Sequence, residues 1–139
     1  MKTALLLQIA GLLHLGLLCA GGSLPRVLAF SRHLTLVPVL LRRLFYVYYV
    51  FVGGTVIAFG AMSFFLADQL AAGGPVARAL LLLMMTFWTA RLLVALFVFD
   101  LKPYLTNRWR WFGYQLMNVV FLYLPAVYAY TFVQTLRLP

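Results

Sequence analysis

A chain of 139 residues that is 65% hydrophobic, with two acidic side chains and a net charge of +9, departs from soluble domains, in which about half the residues are apolar and about a quarter charged. That balance excludes an ordinary soluble domain and places the chain in lipid. The positive charge does not point to nucleic acid, because most basic residues sit in short connections between apolar runs, where they set orientation.

Four runs are long enough to cross a membrane: Thr3 to Gly21, Leu44 to Leu66, Ala79 to Phe99 and Phe112 to Val133. Crossing a hydrocarbon core of about 30 Å takes roughly 20 helical residues. The runs are continuous rather than alternating, and a four-strand barrel could not close its edges in lipid, so helices are implied. The predicted fold is an all-α integral membrane four-helix bundle, a single domain over residues 1–139.

The first span begins after Lys2 and ends in small residues around Cys19 to Ser23, a pattern that resembles a secretory signal peptide. Leu18 stands where a lipoprotein signal needs a small residue, and the span is read as a retained helix. Ala4, Gln8, Gly11, Cys19 and Gly22 share one helical stripe and are expected to pack against another helix. A single cysteine forms no internal disulfide. The connection from Gly22 to Arg43 holds Pro25 and Pro38 among apolar and basic residues at irregular spacing. It suits a short helix lying on the headgroups and is too broken to span.

The second span has two neighbouring small faces, Gly54, Ala58 and Ala61 on one and Tyr46, Tyr49, Gly53 and Gly60 on the other. Such faces let helix backbones approach in lipid, where packing rather than the hydrophobic effect drives association. Gly73, Gly74 and Pro75 make the following turn. After the third span, Asp100 can pair with Lys102 or Arg108, and Tyr104, Trp109 and Trp111 are expected at headgroup level. The fourth span puts Gln115, Asn118, Ala126 and Ala129 on one stripe, with a kink expected at Pro125. The aromatic load, 17% of residues, suits packing and lipid-facing surface and specifies no cofactor.

Arg26, Arg32, Arg42, Arg43, Lys102, Arg108 and Arg110 lie in the connections on one side, against Lys2, Arg78 and Arg137 on the other. The positive-inside rule then puts both termini outside and the basic connections in the cytoplasm, against anionic headgroups. Short connections and this charge bias favour a bacterial inner membrane.

Arg91 falls inside the third span, and no Asp or Glu lies in any span. It is about 12 Å from the inner end and about 18 Å from the outer one. The Cα–Cβ bond tilts toward the helix N-terminus, here the outer end, so snorkelling inward is opposed. A charge at mid-bilayer costs at least about 2.5 kcal/mol, so partners are expected. His14, Tyr49 and Asn118 fall about 8–11 Å below the inner surface, near the level of Arg91. With Gln115 they are the candidate ligand- or partner-binding cluster in the cytoplasmic half.

The cluster has donors, neutral acceptors and an imidazole but no carboxylate, which argues against carboxylate-based proton antiport, glutamate-dependent proteolysis and carboxylate-ligated metal. Haem held by two histidines is not expected, because His33 lies in a connection and His14 alone is in a span. A surplus cation suits an anionic or carbonyl-bearing guest, or an acidic residue of another subunit. No catalytic motif stands out. The expected function is that of a non-catalytic polytopic membrane protein, an accessory or assembly subunit of a larger membrane complex or a small homo-oligomer. The alternative is a binder or carrier of a lipophilic anionic or quinone-like molecule around Arg91.

Overall fold

A computed structural model describes residues 2–27, 34–98 and 108–137. Helix α1 is Lys2–Val27, α2 Val39–Phe65, α3 Ala67–Ala72, α4 Pro75–Phe97 and α5 Arg108–Leu136, with a 3-10 turn at Leu34–Leu36 before α2. The described residues contain no strand. Four of the helices, all but α3, are long and apolar enough to cross a membrane, so the chain is a multi-pass, all-helical membrane bundle.

The helices outrun the apolar runs. α1 continues past Gly21 through Pro25 to Val27, and α2 starts at Val39, directly after Pro38. Lipid asks for hydrogen-bonded backbone before it asks for apolar side chains, so a helix continues into the headgroup region wherever nothing stops it. Of the connection read as an interfacial helix, the described part is the end of α1, the 3-10 turn and the start of α2. Residues 28–33, the pairing of Asp100 and the anchoring of Tyr104 lie outside the described residues.

The predicted turn is present. Gly73 and Gly74 adopt φ of 83° and 110°, a region that glycine enters without a Cβ penalty. Pro75 is the first residue of α4, where its missing N–H would have had no helical partner anyway. The short α3 was not visible in the sequence. It prolongs α2 after a break at Leu66, whose N–H still bonds to Met62 and whose carbonyl still accepts from Leu70.

Buried positions recur at alternating steps of three and four residues on every span. They are Ala4, Leu7, Gly11 and His14 on α1, and Val56, Gly60, Ser63, Ala67 and Leu70 on α2 and α3. On α4 they are Leu81, Met84 and Trp88, and on α5 Phe121, Leu124, Tyr128, Thr131 and Thr135. Alternating steps of three and four are the seam spacing of a coiled-coil-like bundle. α1 packs along α2 and α4 along α5, giving two antiparallel hairpins; α1 joins α5, and α3 touches α1, α4 and α5.

The seam corrects the expected small faces. On α1, Ala4 and Gly11 are buried but Cys19 and Gly22 are exposed; on α2, Gly54, Ala58 and Ala61 point out of the fold while Gly60 is buried. On α5, Ala126 and Gln115 are likewise exposed. A glycine chooses the seam only where the opposing backbone comes close. A Cβ on Gly11 would stand 2.7 Å from the Phe64 Cβ and 2.9 Å from its backbone N, and one on Gly60 would stand 2.8 Å from the His14 Cβ. The two glycines make the crossing of α1 and α2.

Burial has a boundary. Every buried residue among those described lies between the terminal end of the bundle, where Lys2 and Leu136 sit, and a level marked by Leu17, Val56, Trp88 and Val120. Toward the opposite end, where the basic connections leave the helices, the seam spacing continues through Leu18 and Gly21, Gly53 and Tyr49, Arg91 and Ala95, Met117 and Tyr114. All of these are only half-buried.

Candidate functional site

The boundary layer is aromatic. Trp88, 2% exposed, meets the His14 ring edge-on at 5.1 Å and lies nearly parallel to Phe121 at 6.0 Å. Phe87 and Phe59 extend the layer by edge-to-face contacts at 5.3 and 5.2 Å. Both geometries suit ring quadrupoles. On the loop side of this layer the Arg91 guanidinium carbon lies 5.2 Å from the centroid of Phe121, a cation–π contact. Arg91 follows Trp88 by one seam step, so the bundle register itself turns the cation inward.

His14 is 1% exposed, and its Nδ1 lies 2.6 Å from the Ala10 carbonyl oxygen. A carbonyl only accepts, so Nδ1 carries a proton in this contact. Among the described residues neither His14 Nε2 nor the Trp88 indole N–H has a hydrogen-bond partner. His14 and Arg91 thus touch one aromatic layer through different rings, His14 through Trp88 and Arg91 through Phe121.

The remaining candidates are placed differently. The Tyr49 hydroxyl donates to the Gly21 carbonyl. Pro25, inside α1, has no N–H to give that carbonyl, which lies four residues upstream, so Tyr49 replaces the bond that proline removes. Asn118 Nδ2 points at Gln115 Oε1 from 3.5 Å, at the weak limit of a hydrogen bond. Asn118 is half-buried and Gln115 exposed.

The Tyr49 contact is testable as a cycle. Tyr49→Phe is expected to cost about 1 kcal/mol in detergent unfolding, within the range for a single interhelical hydrogen bond. In a Pro25→Ala background the new N–H satisfies Gly21, and the same change should cost close to nothing. An undiminished cost in that background would remove the compensation.

A second polar group, not anticipated from the sequence, lies in the buried half. Ser63 Oγ is 2.6 Å from the Tyr128 hydroxyl and 3.9 Å from Met84 Sδ. With Tyr128 donating to Ser63, the serine proton remains for the sulfur. Thr131 and Thr135 are satisfied by carbonyls of their own helix. Arg78 donates to the Thr135 carbonyl, one of the last four of α5, where a cation also meets the negative end of the helix dipole. The signal for Ser63, Tyr128, Thr131 and Thr135 was the seam spacing, which carries them in register with buried apolar residues.

The loop half differs in kind. Among the described residues, a Cβ added at Gly21 or Gly53 would meet nothing within 4 Å. Large apolar side chains on the loop half of α2, among them Leu40, Tyr48 and Phe51, are 77%, 62% and 70% exposed. Among the described residues no three His, Cys, Asp or Glu side chains come together to hold a metal.

No known protein family matches this sequence, and no curated protein or solved structure resembles it significantly.

Proposed function

We propose that this chain is a non-catalytic membrane protein that works as an accessory or assembly subunit of a larger membrane complex, or as a small homo-oligomer. The observation that carries this reading is the boundary of burial at Leu17, Val56, Trp88 and Val120. On the terminal side the seam is filled from all helices; on the loop side the same seam runs on with its positions half-covered. A bundle whose register outlasts its own packing is built to be completed by something else, since helix association in lipid rests on close packing.

Native mass spectrometry of the protein extracted gently from its own membrane tests this. Co-purifying larger subunits, or a stable homo-oligomer, are the expected results. A stable monomer, active in some assay and unchanged by Arg91→Leu, would sink the reading.

A second reading, a binder of a lipophilic anionic or quinone-like molecule around Arg91, is supported by a half-buried cation held over the Phe121 ring at 5.2 Å. It predicts a small molecule that co-purifies and is lost on Arg91→Ala. The membrane we infer is a bacterial inner membrane with both termini outside, on the charge bias of the connections alone.

A further inference from the structure

We propose that His14 and Trp88 hold one buried water molecule between them, at the level where the packed half of the bundle ends. The inference goes beyond the subunit and carrier readings and depends on neither.

The bundle satisfies its buried hydroxyls from within. Ser63 and Tyr128 bond to each other, and Thr131 and Thr135 bond to carbonyls of their own helix. His14 and Trp88, 1% and 2% exposed, are different. Among the described residues, His14 Nε2 and Trp88 Nε1 have no hydrogen-bond partner. A third such atom, Arg78 Nε, belongs to a half-buried side chain that already donates to the Thr135 carbonyl. Native interiors leave few polar atoms unpaired, and an ordered water is the usual partner where the protein supplies none. Here two such atoms fall on rings whose centroids are 5.1 Å apart.

Their chemistry is complementary. The indole N–H only donates. The imidazole commits its Nδ1 proton to the Ala10 carbonyl, 2.6 Å away, so in the neutral ring Nε2 offers a lone pair. The two rings stand nearly perpendicular, at 82°, and neither nitrogen bonds directly to the other. A molecule that satisfies both must accept from the indole and donate to the imidazole. A hydroxyl does this; an isolated carbonyl or a cation meets only one of the two. Water is the hydroxyl small enough for side chains this enclosed.

The remaining neighbours of Trp88 are the rings of Phe87 and Phe121. An N–H over a ring face is a second-order contact, and it does nothing for Nε2. Hydrocarbon supplies no donor or acceptor, so bare polar atoms cost more at this depth than near a wet surface. Water has its approach from the loop side, where the next seam positions, Leu18, Gly53, Arg91 and Met117, are only half-buried. A buried water commonly makes about three bonds, and the third is available on that side. Because His14 stands on α1 and Trp88 on α4, the bound water ties the first hairpin to the second.

NMR of the isotope-labelled full chain in phosphatidylcholine nanodiscs tests this by reading magnetisation transfer between water and the indole N–H protons, assigned through Trp88→Phe, Trp109→Phe and Trp111→Phe. The expected result is a water cross-peak on the Trp88 indole proton, although that proton exchanges for deuterium far more slowly than those of the exposed Trp109 and Trp111. His14→Leu should abolish the cross-peak, and His14→Gln, whose carbonyl restores an acceptor, should keep it. The backbone amide spectrum shows whether each variant is folded, and the unsubstituted chain decides the matter if His14→Leu is not. A Trp88 indole proton without a water cross-peak, or a cross-peak at full strength in folded His14→Leu, would overturn the proposal. So would a cross-peak to a lipid or co-purified hydroxyl in place of water, since the pair would then hold an alcohol.

Discussion

Replacing Gly11 by valine is expected to unfold the first hairpin, at a cost of at least about 3 kcal/mol. Overpacking is tolerable when the obstructing atom is the tip of a flexible side chain. At Gly11 the obstruction is the Phe64 Cβ at 2.7 Å, the Phe64 backbone N at 2.9 Å and the Gly60 carbonyl oxygen at 3.0 Å. None of these can move without moving α2. The helices would have to separate along the crossing, and His14, whose Cβ would stand 2.8 Å from a Gly60 Cβ, would lose its seat as well. Gly54→Val is the control, because a Cβ there meets nothing within 4 Å. Circular dichroism and tryptophan fluorescence during detergent denaturation should show an early transition for the first variant and an unchanged one for the second.

The second large effect is expected at Trp88. Trp88→Ala removes the ring that touches His14, Phe87 and Phe121 at once. In soluble proteins such truncations cost about 3–5 kcal/mol, from lost transfer energy plus the cavity left behind. Here the transfer part is small, because lipid is as apolar as the bundle core, so the cavity part should dominate and the cost fall near the lower bound, about 3 kcal/mol. Trp88→Phe keeps a ring in the layer and should cost less than half as much. If alanine and phenylalanine proved equivalent in thermal unfolding, the layer would not be a packing element.

The spans were legible because a bilayer asks one question, length of apolar run, and the chain answers it four times. Helix ends were less so, since Pro25 sits inside α1 where a break was expected, tolerated because Tyr49 reaches the carbonyl it strands. Depth was the only coordinate the sequence offered for His14 and Arg91, yet rotation about each helix decides contact, and rotation is fixed by the seam. Reading alternating steps of three and four would have put Ser63, Tyr128 and Thr131 inside and Gly54, Ala58 and Ala61 outside. Composition hid this, because on a helix apolar all round the buried face has no hydrophobic contrast with the lipid-facing one.

The hydrogen bond from the Tyr123 hydroxyl to the Leu6 carbonyl, 3.2 Å long, ties the first span to the last across 117 positions of sequence. Chain emerges from the ribosome in order, at roughly 5–20 residues per second, so α1 waits several seconds in the bilayer before α5 exists. During that interval its neighbours are α2, held at the glycine crossing, and the short α3 that follows it. The first hairpin must therefore persist unaided, and the second must form and then dock. A ribosome stalled within α5 leaves a half-assembled protein in which the Leu6 carbonyl lacks Tyr123 and Trp88 lacks Phe121, a species that quality-control proteases would meet before any mature partner does.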